Sequence, residues 1–154
     1  MAEVLIRDKR TNTLVSHRDV GVGVSQVLPL MVAALSTNGH IHLVEQPELH
    51  LHPALQAELG DLFIESALGE RKNTFLLETH SEHLILRILR RVRETSEGIL
   101  AKGKIPLRPK DVSVIYVQPT QNGSKIASLP VTPDGDFSVP WPGGFFAERF
   151  QELP

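Results

Sequence analysis

The sequence predicts an α/β fold with parallel strands, and three observations predict it. Two short apolar runs, Ile41 to Glu45 and Thr74 to Glu78, read as buried strands. Helix-length segments alternate with them, which implies parallel pairing through crossover helices. The first run passes straight from Val44 into Glu45 and a rigid polar turn, Gln46-Pro47-Glu48-Leu49-His50-Leu51-His52-Pro53, and the second into Thr79-His80-Ser81. Open α/β sheets bind their ligands at that carboxyl edge.

Taken in order, Glu3 to Arg7 and Thr13 to His17 flank a turn-rich Asp8 to Asn12 and read as a hairpin. Asp19-Val20-Gly21-Val22-Gly23-Val24 then leads to a helix starting near Ser25. Ser25 can cap it, and Pro29 falls in its first turn, where a missing amide proton costs little. Val27, Met31, Ala34 and Leu35 share one face, and Gly39 suits the stop. A second helix begins around Pro53, a favoured first helical position. Leu55, Leu59, Leu62, Phe63 and Ser66 face inward there, and Glu58, Asp61 and Glu65 outward. The third helix is buried through Leu84, Ile85, Ile88, Leu89 and Val92. Thr79 and Glu82 have capping-box spacing at its start, with Ser81 the alternative cap.

The texture changes after about Thr95. Glu97 to Lys110 is rich in Gly, Pro and Lys; Val112 to Gln118 and Lys125 to Leu129 are strand-like around Gln121-Asn122-Gly123-Ser124. Pro133-Asp134-Gly135 is a further turn, and Trp141 to Phe146 leads into a short terminal helix. Two parts are therefore expected, a lobe over 1–95 and a small β-rich extension over 96–154.

Composition narrows the classes. At 154 residues with 41% apolar side chains, the chain can bury a real core. A net charge of -2 gives no overall pull toward nucleic acid. With no cysteine, disulfide frameworks and thiolate zinc are excluded. No apolar run reaches membrane-spanning length and no signal-peptide pattern opens the chain, so a cytoplasmic location with no membrane partner is expected.

Glu45 closes a buried strand. A carboxylate there either holds magnesium, which favours oxygen ligands together with substrate phosphates, or pairs with an Arg or a helix end. Glu48, His50 and His52 alternate and, with His80 and His83, carry the donor types of a metal centre, but HExxH spacing is missing and histidine hydrogen bonds anchoring the turn are the simpler reading. Gly21 and Gly23 before a helix N-terminus suit either phosphate contact or a tight turn. His80 can hydrogen-bond a phosphate oxygen or a neighbouring carbonyl. Arg87, Arg90, Arg91 and Arg93 read as a solvated face paired with Glu94 and Glu97, since no aromatic residue interleaves for base stacking. Gly98 to Ile105 nearly matches GxxxxGK[ST], but Ile105 replaces the hydroxyl, Pro106 obstructs a helix and no buried strand precedes it.

In this order, the motifs resemble the C-terminal half of an ABC-type ATPase head. The likeness is to predicted bacterial AAA-family ATPases related to the RecF, SMC and OLD-nuclease groups, many of which end in a small C-terminal domain of unknown function. Asp19 to Arg91 carry it, and Asp136 to Phe146 more loosely. It implies a partial P-loop NTPase lobe. Val20 to Gln26 would be the signature motif, with Gly21, Gly23, Ser25 and Gln26 touching the ATP held by a partner head. Leu43 to Pro47 would be Walker B with Glu45 on magnesium, Glu48 to Pro53 the D-loop, and His80 the switch histidine near the γ-phosphate.

Two departures stand out. ABC heads commonly carry glutamate directly after the Walker B acid, whereas Gln46 stands here. An amide orients water but does not accept its proton at neutral pH, which leaves slow hydrolysis or substitution by Glu48. Nor do these residues contain a Walker A loop, the lysine and amide cradle for phosphates. The expected function is thus the signature and Walker B lobe of a switch that binds and hydrolyses ATP with Mg2+, with Gln46, Glu48 and His80 catalytic. It would work as a homo- or heterodimer of heads with Walker A supplied elsewhere; a role in DNA repair or phage defence is what the resemblance implies. Two other readings stay open. One is a non-catalytic module pairing with a partner ATPase. The other is a metal-dependent nuclease built on Glu45, Glu48, His50, His52 and His80.

Overall fold

The structure is a computed structural model, and it describes residues 5–142. The expected strand start at Glu3 and the expected terminal helix lie outside the described residues. The chain forms two compact units, Met1–Leu84 and Ile85–Pro154.

In the first unit, β1 (Leu5–Arg7) and β2 (Leu14–Ser16) form the expected antiparallel hairpin, with Ile6 opposite Val15. Its loop closes through the Asp8 amide, which donates to the Thr13 carbonyl at 2.9 Å. Helix α1 (Val22–Ser36) begins three residues before Ser25, so Ser25 is not its cap. Gly21 is the cap residue and makes no side-chain bond, while the Ser25 hydroxyl donates backward to the His17 carbonyl at 2.7 Å. Pro29 consequently sits inside the helix rather than in its first turn, and the Ser25 carbonyl lacks its usual helical donor.

Strands β3 (Ile41–Glu45) and β4 (Thr74–Glu78) pair in parallel, residue for residue from Ile41 with Thr74 to Glu45 with Glu78. Helix α2 (Pro53–Leu68) connects them, the crossover that parallel strands require. Its Phe63 ring packs 4.9 Å from Phe75 on one sheet face, where His42 also stacks on Phe75 at 5.1 Å. Leu59, Phe63 and Ser66 are buried as the periodicity predicts, but Leu55 is exposed. The other sheet face is bare. Ile41, Leu43 and Leu76 are 74%, 76% and 60% exposed, so strands read as buried on both sides are covered on one only. Met31 and Leu35 of α1, expected inside, also face out.

The division between the units falls within helix α3 (Glu82–Ser96), which is capped by Ser81 rather than Thr79. The Ser81 hydroxyl accepts from the Leu84 amide at 3.0 Å.

In the second unit, β5 (Ile115–Thr120) and β6 (Gly123–Ser128) form an antiparallel hairpin. Pairing continues to Thr120 opposite Gly123, so the turn is two residues rather than four. Gly123 makes this possible with φ 130, a conformation open to glycine. Trp141 packs edge-on against Tyr116 and Phe137, at 5.8 and 5.3 Å.

The arginine face divides. Arg90 pairs with Glu94 at 2.6 Å, as expected of a solvated helix face. Arg91 also pairs with Glu94, Nη1 to Oε2 at 3.8 Å, but from a buried position: it is 3% exposed, and its Nη2 donates to the Ile105 carbonyl at 2.9 Å. Arg91 thereby ties the rejected glycine-lysine loop to α3. Arg91→Met keeps the apolar stem and removes the guanidinium, so it should cost about 2 kcal/mol, read as a lower urea midpoint. An unchanged midpoint would show that the buried guanidinium contributes nothing net. Among the described residues no helix is long and apolar enough to cross a membrane.

Candidate functional site

The turn after β3 is held by its own backbone. The Gln46 amide donates to the Glu78 carbonyl at 2.8 Å, which extends the ladder one residue beyond Glu45. Gln46 then turns left-handed with φ 45, and His50 does so again with φ 61. Non-glycine residues seldom adopt this region, and such outliers cluster at functional sites. Leu49 N donates to Gln46 O and Leu51 N to Glu48 O, at 3.1 and 3.0 Å. His52 caps α2 by accepting from the Ala54 amide at 3.3 Å. This histidine is therefore spent on the turn, the simpler of its two expected readings.

Glu48 is the joint of the site. Its backbone is in the turn, yet the residue is only 8% exposed and its side chain reaches the segment after β4. There Oε1 accepts from the His80 amide at 2.7 Å. The second oxygen, Oε2, is buried and has no hydrogen-bond partner among the described residues. A second strut runs parallel. The Ser81 hydroxyl donates to Gln56 Oε1 at 2.7 Å, and Gln56 Nε2 donates to the Leu51 carbonyl at 2.9 Å. Between these struts lies an open cleft of about 280 Å³ lined by Gln46, Glu48, Leu49, His50, Gln56, His80 and Ser81.

The structure thus brings Gln46, Glu48 and His80 together, as the sequence suggests. Gln56 and Ser81 also belong, and nothing in their types announces it; only a pairing across 25 residues places them. Glu45 does not line the cleft. It lies exposed at the end of the sheet, directly opposite Glu78, and no hydrogen bond or ion pair holds its carboxylate among the described residues. Two carboxylates side by side repel, and a cation between strand ends relieves that repulsion. His80 Nε2 is 4.0 Å from Glu78 Oε1, with both side chains mostly exposed, which makes a weak pair.

The glycine turn is split. Gly21 is exposed with open space around it, whereas Gly23 is buried against the His50 carbonyl. Gly23 is thus a packing position in this structure, not a surface one. Gln26 is exposed, and the Ser25 hydroxyl is committed to His17. Among the described residues no group of three His, Asp or Glu side chains could hold a metal ion. The histidine-carboxylate centre behind the nuclease reading is therefore not assembled in the described residues. Magnesium asks less of the protein, one or two carboxylates with the remaining ligands from phosphate and water, and Glu45 beside Glu78 fits that demand.

No curated protein matches the chain. Residues 6–87, more than half of its length, match the family model described as "AAA domain, putative AbiEii toxin, Type IV TA system", and the chain belongs to that AAA-domain family.

Proposed function

We propose that this AAA-type domain is the signature and Walker B part of a head that binds and hydrolyses ATP with Mg2+, its phosphate loop contributed from outside these residues. The observation that supports it best is Glu45, an exposed carboxylate ending a parallel strand, held by no partner among the described residues and aligned with Glu78. Glu45, with Glu78 beside it, would hold the cation, which neutralises phosphate charge when bound. Gln46 orients the attacking water through its amide, and His80 donates to a γ-phosphate oxygen. Gly21 and Gln26, exposed at the start of α1, face the ATP of a second head in a homo- or heterodimer.

The bare sheet face supports the missing half. Parallel strands are ordinarily covered on both faces, and here Ile41, Leu43 and Leu76 lie open. A strand-loop-helix segment carrying GxxxxGK[ST] would add a strand beside β3–β4, cover that face and bring phosphate-binding amides to the Glu45 edge. A role in DNA repair or phage defence rests on family likeness. Gln46 favours one other reading, a non-catalytic module that pairs with a partner ATPase.

Turnover decides between the two. The head completed with its phosphate-loop segment should bind ATP in a magnesium-dependent way by calorimetry and release phosphate. Glu45→Gln should lower release at least about tenfold. Binding without turnover would favour the non-catalytic module, and absence of magnesium-dependent binding would sink both the cation role of Glu45 and the ATPase reading.

A further inference from the structure

We infer that Glu48, rather than the residue next to the Walker B acid, accepts the proton of the attacking water, and that its two oxygens divide the labour. The inference rests on the ATPase reading above and names the base for it. Oε1 is fixed by the His80 amide at 2.7 Å, which sets the carboxylate in one orientation. Oε2 is then left without a donor among the described residues and with almost no accessible surface, in a residue that is 8% exposed and lines the cleft, so the attacking water reaches it as the cleft adjusts around bound ATP. A buried carboxylate oxygen without a donor is costly, so the site is built to receive one. Of the cleft residues, Glu48 alone carries a carboxylate. Gln46 lines the same cleft and hydrogen-bonds water without taking its proton.

The chemistry closes on ATP and water. The water oxygen bonds to the γ-phosphorus while the bridging β–γ P–O bond breaks. ADP leaves with that electron pair, and the water proton passes to Oε2. The same Oε1 contact gives the arrangement a consequence: His80 and the base sit on one hydrogen bond, so the switch segment and the proton acceptor move together.

Three variants of the completed head test this, each followed by ATP calorimetry, thermal melting and phosphate release. Glu48→Gln retains an oxygen for the His80 amide but places an NH2 group or a non-basic oxygen in the cleft. It should bind ATP as the unaltered protein does and release phosphate about a hundredfold more slowly, in the range that general-base removal gives. Glu48→Ala should be at least as slow. If Glu48→Gln also fails to fold, Glu48→Asp, which restores a carboxylate, should exceed Glu48→Ala in turnover; equal turnover of those two overturns the assignment. Phosphate release by Glu48→Gln within about threefold of the unaltered protein, with Glu45→Gln inactive, overturns it too while leaving the ATPase reading in place. An unaltered head that binds no ATP overturns both.

Discussion

Asn73→Ala should cost the first unit about 3 kcal/mol, and Asn73→Asp more at neutral pH. Asn73 precedes β4 and is 3% exposed. Its Nδ2 donates to the Thr37 carbonyl and the Ser66 hydroxyl, each at 3.0 Å, and more distantly to the Ala34 carbonyl at 3.4 Å. Its Oδ1 accepts from the His40 amide at 2.9 Å. The Ser66 hydroxyl in turn donates to the Ala34 carbonyl at 2.7 Å. One amide therefore joins the end of α1, the end of α2 and the start of β3 to the residue that launches β4. Alanine leaves the Thr37 carbonyl and the His40 amide without these partners. Aspartate adds a second fault, since it can accept but not donate, and it sets a carboxylate against carbonyl oxygens.

The sign of its pH response follows. Burial and acceptor neighbours raise the folded pKa of that new carboxyl above its unfolded value of about 4. Its penalty is thus fully present above the folded pKa and is relieved as pH falls through it. Melting temperatures of the Asp variant should approach those of the Ala variant in acid and fall below them at neutral pH. Asp and Ala variants that melt together at every pH would show that the donors of Asn73 are not what the unit depends on.

Legibility in the sequence followed the physics of each element. β3 and β4 fall where expected because each is a short apolar run bounded by turn residues, with Pro47 following close on the first. Helix α2 starts at Pro53 because proline suits the first helical position. The start of α1 was misleading. Ser25 has the right side chain for a cap, but the helix begins at Val22 because Gly23 packs against the next turn in space, a tertiary contact with no local signature. Arg91 was hidden for the same reason, since one guanidinium in an arginine-rich helix looks like its neighbours until a loop carbonyl closes over it. In the site, the motif residues Gln46, Glu48 and His80 were readable. The hydrogen bond that unites them was not, because it runs from a side chain to a backbone amide 32 residues away, and amides leave no trace in residue type. The bare face of β3–β4 was unreadable in principle. An apolar run says that a strand is to be covered, not which part of the chain covers it.

Gly23→Ala should destabilise the first unit by about 3 kcal/mol and lower its melting temperature by more than about 10 °C, whereas Gly21→Ala should cost under about 1 kcal/mol. A methyl group on Gly23 would meet the His50 carbonyl oxygen at 2.5 Å and the Leu51 Cδ2 at 3.1 Å. The first of these is backbone, so nothing flexible can yield. His50 is already left-handed at φ 61, and the adjoining Glu48 and Leu51 are fixed by the 3.0 Å bond between them. Relief therefore requires α1 to retreat or the turn to shift, and a shifted turn carries Glu48 away from the His80 amide. At Gly21, φ is -52 and nothing lies within 4 Å of an added methyl, so only the preference of the cap position is lost. The pair separates two roles for this glycine motif. If close approach of phosphate were the whole reason for both glycines, the two variants would melt alike and lose ATP binding alike. If packing governs Gly23, its variant melts early with or without nucleotide, while Gly21→Ala keeps its fold and loses only what the exposed amides contribute. Equal melting of the two variants would place the origin of the α1 start somewhere other than the His50 contact.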